Sequence, residues 1–307
     1  MDLTKLQQQL ALAANGDVAL SGRQSGHLED HGSKSAPASF ADWQLISHSL
    51  APMIVAKGHS VVGICGSQGS GKSTLAAYLV AAISALGVSA VAVSLDDFYL
   101  TRAQRNSLAE TVHPLLQTRG VPGTHDVGLL QQVLESISTI NAPEFNNAIM
   151  PPVKMSLPSF NKGMDDREGF SEVHASVLVL EGWCLGVQPQ PEQLLDEAVN
   201  ALEEVEDDMR IWRRWVNQQI QLGYVDLWAH VDFWLQLKAP SFDQVHQWRG
   251  EQETRLPQAQ RMSQEQLMRF IGHYERLTRW QWQSPNLQPG LNVALAEDHR
   301  VKSVSLS

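Results

Sequence analysis

Cysteine is scarce in this chain of 307 residues, which contains only Cys65 and Cys184. Two cysteines so far apart fit neither the dense disulfide frameworks of small secreted domains nor the closely spaced pairs of zinc sites. The eleven histidines are scattered as well, with no pair at the spacing of zinc ligands. We therefore expect neither disulfides nor structural zinc, and a reducing cytosol is the compartment that this composition favours.

Positive charge is also in short supply, because 23 lysines and arginines stand against 33 aspartates and glutamates, giving a formal net charge of −10. Binding to nucleic acids or anionic membranes depends on clustered basic residues, so we expect neither as a partner. The sequence has no long apolar run, and we expect no secretory signal and no membrane span. A cytoplasmic globular protein acting on a small molecule is the prediction, with 43% hydrophobic residues available for its core.

The most informative segment is 61–74, which reads VVGICGSQGSGKST. It fits the phosphate-loop pattern G-x-x-x-x-G-K-S/T, and it lies between a predicted buried strand at 61–65 and a predicted helix at 75–86. Glycines let successive N–H groups point at phosphate oxygens, the lysine can bridge the β- and γ-phosphates, and the serine hydroxyl can ligate Mg²⁺. The pattern predicts ATP binding rather than a ligand-free turn. The predicted nucleotide-binding residues are Gly66, Ser67, Gln68, Gly69, Ser70, Gly71, Lys72, Ser73 and Thr74.

Three further apolar segments, 88–95, 176–180 and 229–237, have the length and composition of strands. Helical patterns separate them, which predicts an α/β fold of three layers, with a central parallel sheet covered by helices on both faces. Ligands in such sheets bind beyond the carboxyl ends of the strands. Candidate catalytic residues should therefore follow the strands directly.

Acidic residues occur at two of these strand ends, where Asp96 and Asp97 follow segment 88–95 and Glu181 follows segment 176–180. Beside a phosphate loop, one carboxylate can accept the proton of an attacking hydroxyl and another can hold the metal. We predict that Asp96 is the base and that Glu181 and Ser73 hold Mg²⁺. The alternative for either aspartate is that it caps the following helix, as short acids often do.

Segment 201–215 has the pattern of a helix whose acidic first half passes into a basic second half. Arg210 has Glu206 and Asp207 at i−4 and i−3, so an intrahelical ion pair is one interpretation. Arg213 and Arg214 have no acid at these positions, so we predict that at least one guanidinium is free to reach the phosphates. Arg213 is predicted to be catalytic, and Arg210 and Arg214 to bind nucleotide, on a mobile lid spanning about 187–224. The alternative is a basic patch on the surface.

The region 98–170 is predicted to bind the molecule that receives the phosphate, because it is rich in basic residues for so acidic a protein. Such residues could recognise an anionic acceptor such as a carboxylate. The preferred ligand is Arg119, whose loop Gly120 and Gly123 can bend over the site, although a structural ion pair with Asp126 is an alternative. Asp126 is expected to cap the helix that follows it. The basic residues are Arg102, Arg105, Arg119, His125, Lys154, Lys162 and Arg167, and the predicted acceptor contacts are Asp97, Tyr99, Arg119, His125 and Lys154.

Several motifs together resemble the D-glycerate 3-kinases, which are phosphate-loop kinases. The motifs are DDFY at 96–99, TRGVPGTHD at 118–126, LEGW at 180–183, and FDQVHQWR at 242–249 followed by EQE at 251–253. More distantly, the DDFY element and the arginines at 210–214 are similar to elements of uridine kinase, phosphoribulokinase and pantothenate kinase. The resemblance implies that Asp96 is the base for the acceptor hydroxyl, and that ATP and D-glycerate give ADP and 3-phosphoglycerate.

The resemblance runs from about residue 60 to the end, so we predict one kinase domain over 41–307. Residues 1–40 are predicted to form a helix followed by a flexible linker, because Leu3, Leu6 and Leu10 recur at helical spacing and residues 21–39 are rich in Ser, Gly and His. Two other functions remain open at this point. One is a kinase of another small acceptor, such as a nucleoside or pantothenate; the other is a regulatory ATP-binding protein without catalysis.

Overall fold

A six-stranded sheet forms the centre of the computed structural model, which describes residues 39–138, 151–255, 257–258, 261–285 and 287–307. The strands lie in the order β2-β5-β1-β6-β7-β8. The first five are parallel, and only β8 pairs antiparallel, with β7. The strands of this sheet are β1 (Val61–Gly66), β2 (Ala90–Ser94), β5 (Val177–Gly182), β6 (Phe233–Lys238), β7 (Gly290–Leu295) and β8 (Val301–Leu306), while β3 (Val153–Asn161) and β4 (Asp166–Ala175) form a separate antiparallel hairpin.

Helices cover both faces of this sheet. Along the central strand β1 the side chains alternate between two apolar cores, with Val61 and Cys65 in one and Val62 and Ile64 in the other. Strands buried on both faces need continuous apolar runs, and every residue of β1 and β5 is buried. The predicted α/β fold is therefore confirmed. The helices are α1 (Ser39–Ala56), α2 (Lys72–Ser84), α3 (Arg102–Thr111), α4 (Val127–Ser138), α5 (Ala201–Glu206), α6 (Ile211–Gln219), α7 (Val225–Trp228), α8 (Phe242–Thr254) and α9 (Gln264–Gln283).

The strand predicted at 229–237 begins only at Phe233, because the preceding residues form a turn that places Asp232 beside β1. The Asp232 carboxylate accepts hydrogen bonds from the backbone N–H groups of Ser60 and Val61, at 2.7 and 2.9 Å. The hairpin and the two C-terminal strands were not predicted. The helix and linker predicted for residues 1–40 lie almost wholly outside the described residues.

The segment predicted as one helix over 201–215 is broken in two. Helix α5 ends at Glu206 and α6 begins at Ile211, because Arg210 adopts the left-handed conformation with φ 62°. Two buried arginines fix the segment to the rest of the fold. Arg213 donates to the Asp207 carboxylate at 2.9 Å and to the Leu195 carbonyl at 2.7 Å, and Arg276 from α9 pairs with Glu203 at 2.6 Å.

This geometry corrects the prediction of an unpaired guanidinium at Arg213, which is 3% exposed and takes its acidic partner from six positions earlier in the chain. Arg210 and Arg214 remain half-exposed, and both pair with Asp196, so Arg210 does not pair with the acids at i−3 and i−4. Within the described part of the chain, no helix is both long enough and apolar enough to span a membrane.

Candidate active site

The phosphate loop lies between β1 and α2, at the carboxyl edge of the sheet. Gly69 and Gly71 have φ values of 78° and 91°, which side chains rarely adopt. A Cβ atom on Gly69 would lie 2.6 Å from the Cβ of Trp248, so helix α8 packs directly against the loop. No side chain caps the start of α2 at Gly71. The first N–H groups of this helix thus lack a side-chain acceptor, which suits an anion such as a phosphate.

Beside the loop, the side-chain oxygens of Ser73 on helix α2 and Glu181 on strand β5 meet. The Ser73 hydroxyl donates to Glu181 Oε1 at 2.7 Å, because β5 lies next to β1 and ends at the same edge. Mg²⁺ prefers oxygen ligands and takes only one or two from the protein, with nucleotide phosphates and waters supplying the rest. The pair fits that requirement. Across the described residues, no cluster of three or more His, Cys, Asp or Glu side chains could hold a metal alone.

Asp96 lies in a short 3-10 turn after β2 and lines the same cavity as the phosphate loop. Its carboxylate accepts a hydrogen bond from Tyr99 Oη at 2.8 Å and forms an ion pair with Lys162 Nζ at 2.6 Å. Burial raises the pKa of Asp96, but the Lys162 ammonium and the two hydrogen bonds outweigh it, so the pKa lies below its ordinary value. Asp96 is therefore an ionised carboxylate facing the cavity.

The neighbouring Asp97 has a different environment. It accepts a weak hydrogen bond from the backbone N–H of Phe160 at 3.4 Å and does not line the cavity. Burial raises the pKa of Asp97, and the nearby charge of Asp96 adds to that effect. The structure thus places Asp97 against the hairpin and off the cavity wall, a position that does not support the predicted contact with the acceptor.

A buried aromatic group stands behind Asp96. The ring of Tyr99 stacks on His125 with 4.7 Å between centroids, and His125 Nδ1 lies 2.8 Å from Tyr224 Oη. Burial lowers the pKa of His125 to about 4, so its ring is neutral at pH 7. His125 is behind the cavity wall rather than on it, which corrects the prediction of a direct acceptor contact. Sequence reasoning missed Tyr224, which lies in a π-helical turn at 220–224.

The basic residues of the acceptor region separate into three environments. Arg119 lines the cavity, pairs with Asp165 and lies over the ring of Phe160 at 5.5 Å. Arg105 is buried, and its donors go to backbone carbonyls and to Asp165, so it is structural. Lys154 pairs with Glu172 at 2.6 Å on the exposed hairpin. The expectation that Arg105 or Lys154 reads the acceptor is therefore wrong for this conformation.

The alternative pairing of Arg119 with Asp126 is not formed either, because the partner of Asp126 is Arg167, at 2.9 Å. Asp126 caps α4 as predicted, since its Oδ1 accepts from the backbone N–H of Leu129 at 3.1 Å.

The cavity that these residues surround has a volume of about 1180 Å³. The predicted lid arginines do not line it, and α8 supplies a cation that sequence reasoning missed. Arg249 faces the cavity, pairs with Glu253 at 2.6 Å and lies over Phe270 at 5.5 Å. Its spacing to Glu253 is that of an ordinary surface pair, so only the resemblance at 242–249 pointed to it. The basic residues that line the cavity are Lys72, Arg119, Lys162, Arg249 and Arg255.

A parallel sheet with a phosphate loop after β1 and carboxylates at the ends of β2 and β5 defines a P-loop kinase. Comparisons with known proteins agree, although no protein-family model matches the chain. The uncharacterized kinase mug58 of Schizosaccharomyces pombe is 32% identical over 230 residues, which cover 70% of this chain and 78% of that protein. The chloroplastic D-glycerate 3-kinase of Arabidopsis thaliana is 30% identical over 228 residues, covering 70% of this chain and 46% of that protein.

Among solved structures, the D-glycerate 3-kinase of Cryptococcus neoformans is similar with a TM-score of 0.67 and 26% identity, covering 87% of this chain and 97% of that one. The chain belongs to the D-glycerate 3-kinase family of phosphate-loop kinases. It is an ATP-dependent small-molecule kinase. The resemblance inferred from the sequence motifs is confirmed.

Proposed function

We propose that the protein transfers the γ-phosphoryl group of ATP, with Mg²⁺, to a hydroxyl of D-glycerate and forms 3-phosphoglycerate. The observation that carries this proposal is one cavity lined by the phosphate loop and by Asp96, in which Lys162 pairs with that carboxylate and Arg119 supplies a second cation. A hydroxy acid has one group for the base and one for the cations, since its hydroxyl can approach Asp96 while its carboxylate binds the cations. The names of the plant and fungal relatives support the same acceptor.

For the nucleotide, we propose that residues 66–74 cradle the phosphates, with Lys72 as the catalytic cation between the β- and γ-phosphates. Ser73 and Glu181 would hold Mg²⁺, which neutralises the charge that develops on the phosphates during transfer. Arg249 takes the phosphate-binding role first predicted for Arg213, because its side chain faces the cavity. Arg210 and Arg214 could contact nucleotide only if segment 187–224 moved, and that lid remains a prediction.

For the chemistry, we propose that Asp96 accepts the proton of the acceptor hydroxyl as the oxygen attacks the γ-phosphorus. Tyr99 orients the carboxylate through its 2.8 Å hydrogen bond, and His125 supports Tyr99 from behind. Both are positioning residues in this scheme. Charge stabilisation and alignment supply most of the catalysis in phosphoryl transfer, so a rigidly held base is what the reaction needs.

For the acceptor, Arg119 is the proposed fixed carboxylate ligand. Its pairing with Asp165 and its position over Phe160 hold the guanidinium in one place, while a guanidinium has further N–H donors to offer. A rigid cation loses little conformational entropy when it binds a carboxylate. The region 98–170 would thus supply the acceptor site, with Tyr99, Arg119 and Lys162 on its cavity side.

The experiment that tests the proposal measures ADP formation with ATP, Mg²⁺ and a panel of D-glycerate, glycerol, pantothenate and uridine, with the products identified by NMR. D-glycerate should be phosphorylated with a kcat/KM about 30-fold or more above that of glycerol, because glycerol lacks the carboxylate. Phosphorylation of uridine or pantothenate instead would reject D-glycerate. ATP binding without turnover on any acceptor would favour a regulatory ATP-binding protein.

A further inference from the structure

The Lys162 side chain lies at the tip of the β3–β4 hairpin, and its ammonium contacts Asp96, the proposed base. Lys162 Nζ is 2.6 Å from Asp96 Oδ2, although the lysine side chain is 61% exposed. A lysine has a flexible four-carbon stem and a compact charge, so its ammonium can move while its backbone stays in place. Of the cations lining the cavity, Lys162 is the one that contacts the proposed base.

The backbone of the hairpin tip is fixed by buried or partly buried partners. Arg105 donates to the Asp165 carbonyl at 2.7 Å and pairs with its carboxylate at 3.0 Å. Arg119 pairs with the same carboxylate, and the backbone N–H of Arg102 donates to Asp166 at 3.1 Å. The tip is therefore tied to α3 and to the loop of Arg119, which leaves the lysine side chain as its adaptable part.

The ion pair has a chemical consequence for Asp96. A carboxylate oxygen that holds an ammonium at 2.6 Å has less proton affinity and less room for a hydroxyl than a free one. The other oxygen already accepts from Tyr99. In this conformation Asp96 is thus poorly placed to activate either an acceptor hydroxyl or a water molecule. A base in this state needs something that removes the lysine.

We propose that Lys162 senses the acceptor: its ammonium pairs with Asp96 until an acceptor carboxylate takes it over, and this exchange frees Asp96 for the acceptor hydroxyl. The hydroxyl proton then goes to Asp96, the acceptor oxygen bonds to the γ-phosphorus, and the bond from that phosphorus to the ADP oxygen breaks. Water brings no carboxylate, so the lysine stays on Asp96 and hydrolysis of ATP is suppressed. The inference rests on the proposed carboxylate acceptor.

The test compares Lys162→Met with Lys154→Met. Both lysines belong to the hairpin and pair with a carboxylate at 2.6 Å, but Lys154 pairs with the exposed Glu172, away from the cavity. Three rates are measured for each protein: kcat and KM with D-glycerate, the same with glycerol, and ATP hydrolysis without an acceptor. Thermal unfolding of each variant confirms that it folds. Lys162→Arg tests whether a different cation at this position restores function.

We expect Lys162→Met to lower kcat/KM for D-glycerate by about 30-fold or more, mainly through KM, because a charge-assisted contact is lost. Hydrolysis without an acceptor should rise several-fold, and glycerol turnover should stay the same or rise. Lys162→Arg should recover part of the D-glycerate activity, and Lys154→Met should resemble the unmodified protein. A lower kcat/KM for D-glycerate together with a higher rate of ATP hydrolysis is the result expected if Lys162 both binds the acceptor carboxylate and blocks Asp96 in its absence.

Two results would overturn the inference. If only KM for D-glycerate rises while hydrolysis is unchanged, Lys162 is a carboxylate ligand that does not mask Asp96. If all three rates fall together, Lys162 stabilises the transferred phosphoryl group instead. A different result would contradict the proposed function itself, namely an unmodified protein that does not prefer D-glycerate to glycerol.

Discussion

Arg213 is buried against Asp207, and the two side chains form an ion pair of 2.9 Å across the break between α5 and α6. The same carboxylate accepts the backbone N–H groups of Trp212 and Arg213, so it also caps the start of α6. Removing one partner of a buried pair leaves an uncompensated charge. Arg213→Met should therefore lower the free energy of unfolding by about 3–5 kcal/mol, which denaturant titration would measure.

The control for this prediction is Arg214→Met, because Arg214 is a half-exposed neighbour whose ion pairs are at the surface. Its loss should cost no more than about 1 kcal/mol. Well below the unfolding temperature, the remaining folded Arg213→Met protein should keep a kcat near that of the unmodified protein. A stable Arg213→Met protein with a greatly reduced kcat would restore the catalytic role first predicted for this arginine.

Arg249 and Arg279 provide a matched pair for the phosphate-binding role. Each pairs with a glutamate four positions away and lies over a phenylalanine ring, at 5.5 and 5.2 Å. Only Arg249 lines the cavity. Arg249→Met should lower kcat by about 10²-fold or more, because the cation would stabilise charge on the transferred group. Arg279→Met should leave kcat unchanged in the same steady-state assay, and equal losses in both variants would point to stability instead.

Glu181 offers a test of the metal site, since its carboxylate accepts the Ser73 hydroxyl at 2.7 Å. Glu181→Gln keeps an acceptor oxygen for that hydrogen bond but loses the negative charge. The Mg²⁺ concentration for half-maximal activity should rise by about 10-fold or more. Glu172→Gln, an exposed carboxylate on the hairpin, is the control. Calorimetry with ATP in the absence of metal should give similar affinities for both variants, and an unchanged Mg²⁺ dependence in Glu181→Gln would contradict the assignment.

The sequence was sufficient for those parts of the site that local patterns encode. The phosphate loop needs glycines at positions of positive φ, and parallel strands need apolar runs, so residues 61–74 and the ends of β2 and β5 could be located without a structure. These features place Ser73, Asp96 and Glu181 at one edge of the sheet.

Ion pairs that depend on the tertiary fold could not be located in this way. Local spacing left Arg213 without a partner, whereas the break at Arg210 brings Asp207 back to it. The basic composition of region 98–170 includes Arg105 among the possible acceptor cations, but Arg105 is buried and pairs with Asp165, which lies in a hairpin that the sequence pattern does not reveal. The motif at 242–249 contains Arg249, but the sequence alone does not show that this side chain faces the cavity. In each case the missing information was a contact between distant segments.

The pH dependence follows from the surroundings of Asp96. The Lys162 ammonium and the Tyr99 hydroxyl contact it directly, and its charge also interacts with the Tyr274 hydroxyl, the His125 ring, the Asp97 carboxyl and the Cys184 thiol. A general base works when ionised, so kcat/KM should fall as the pH drops through the pKa of Asp96. Burial raises that pKa, but Lys162 and the two hydrogen bonds bring it below the ordinary value, so activity should persist to acidic pH.

In Lys162→Met the pKa of Asp96 loses its principal lowering influence, and the acidic fall in kcat/KM should move to higher pH. Asp96→Asn should reduce kcat by about 10²-fold or more while ATP affinity is retained, and the acidic fall should disappear. Because burial lowers the pKa of His125 to about 4, a fall centred near pH 4 that survives in Asp96→Asn and is absent from a His125→Gln variant would belong to His125. An unchanged kcat in Asp96→Asn would remove the base from this position.

Arg119 is tested by the acceptor it is proposed to hold. Arg119→Met should raise KM for D-glycerate. It should also lower the ratio of kcat/KM for D-glycerate to kcat/KM for glycerol by about 30-fold or more, because the fixed cation that is proposed to bind the carboxylate is lost. Arg119→Lys keeps the charge but not the planar fork, so it should recover only part of the affinity. Arg102→Met, at the exposed start of α3, is the control. Unlike Lys162, Arg119 does not contact Asp96, so its loss should leave ATP hydrolysis without an acceptor unchanged. Faster hydrolysis in Arg119→Met would mean that loss of the Arg119 side chain lets the hairpin tip move and separates Lys162 from Asp96. In that case Arg119 and Lys162 would not act as independent fixed and mobile cations.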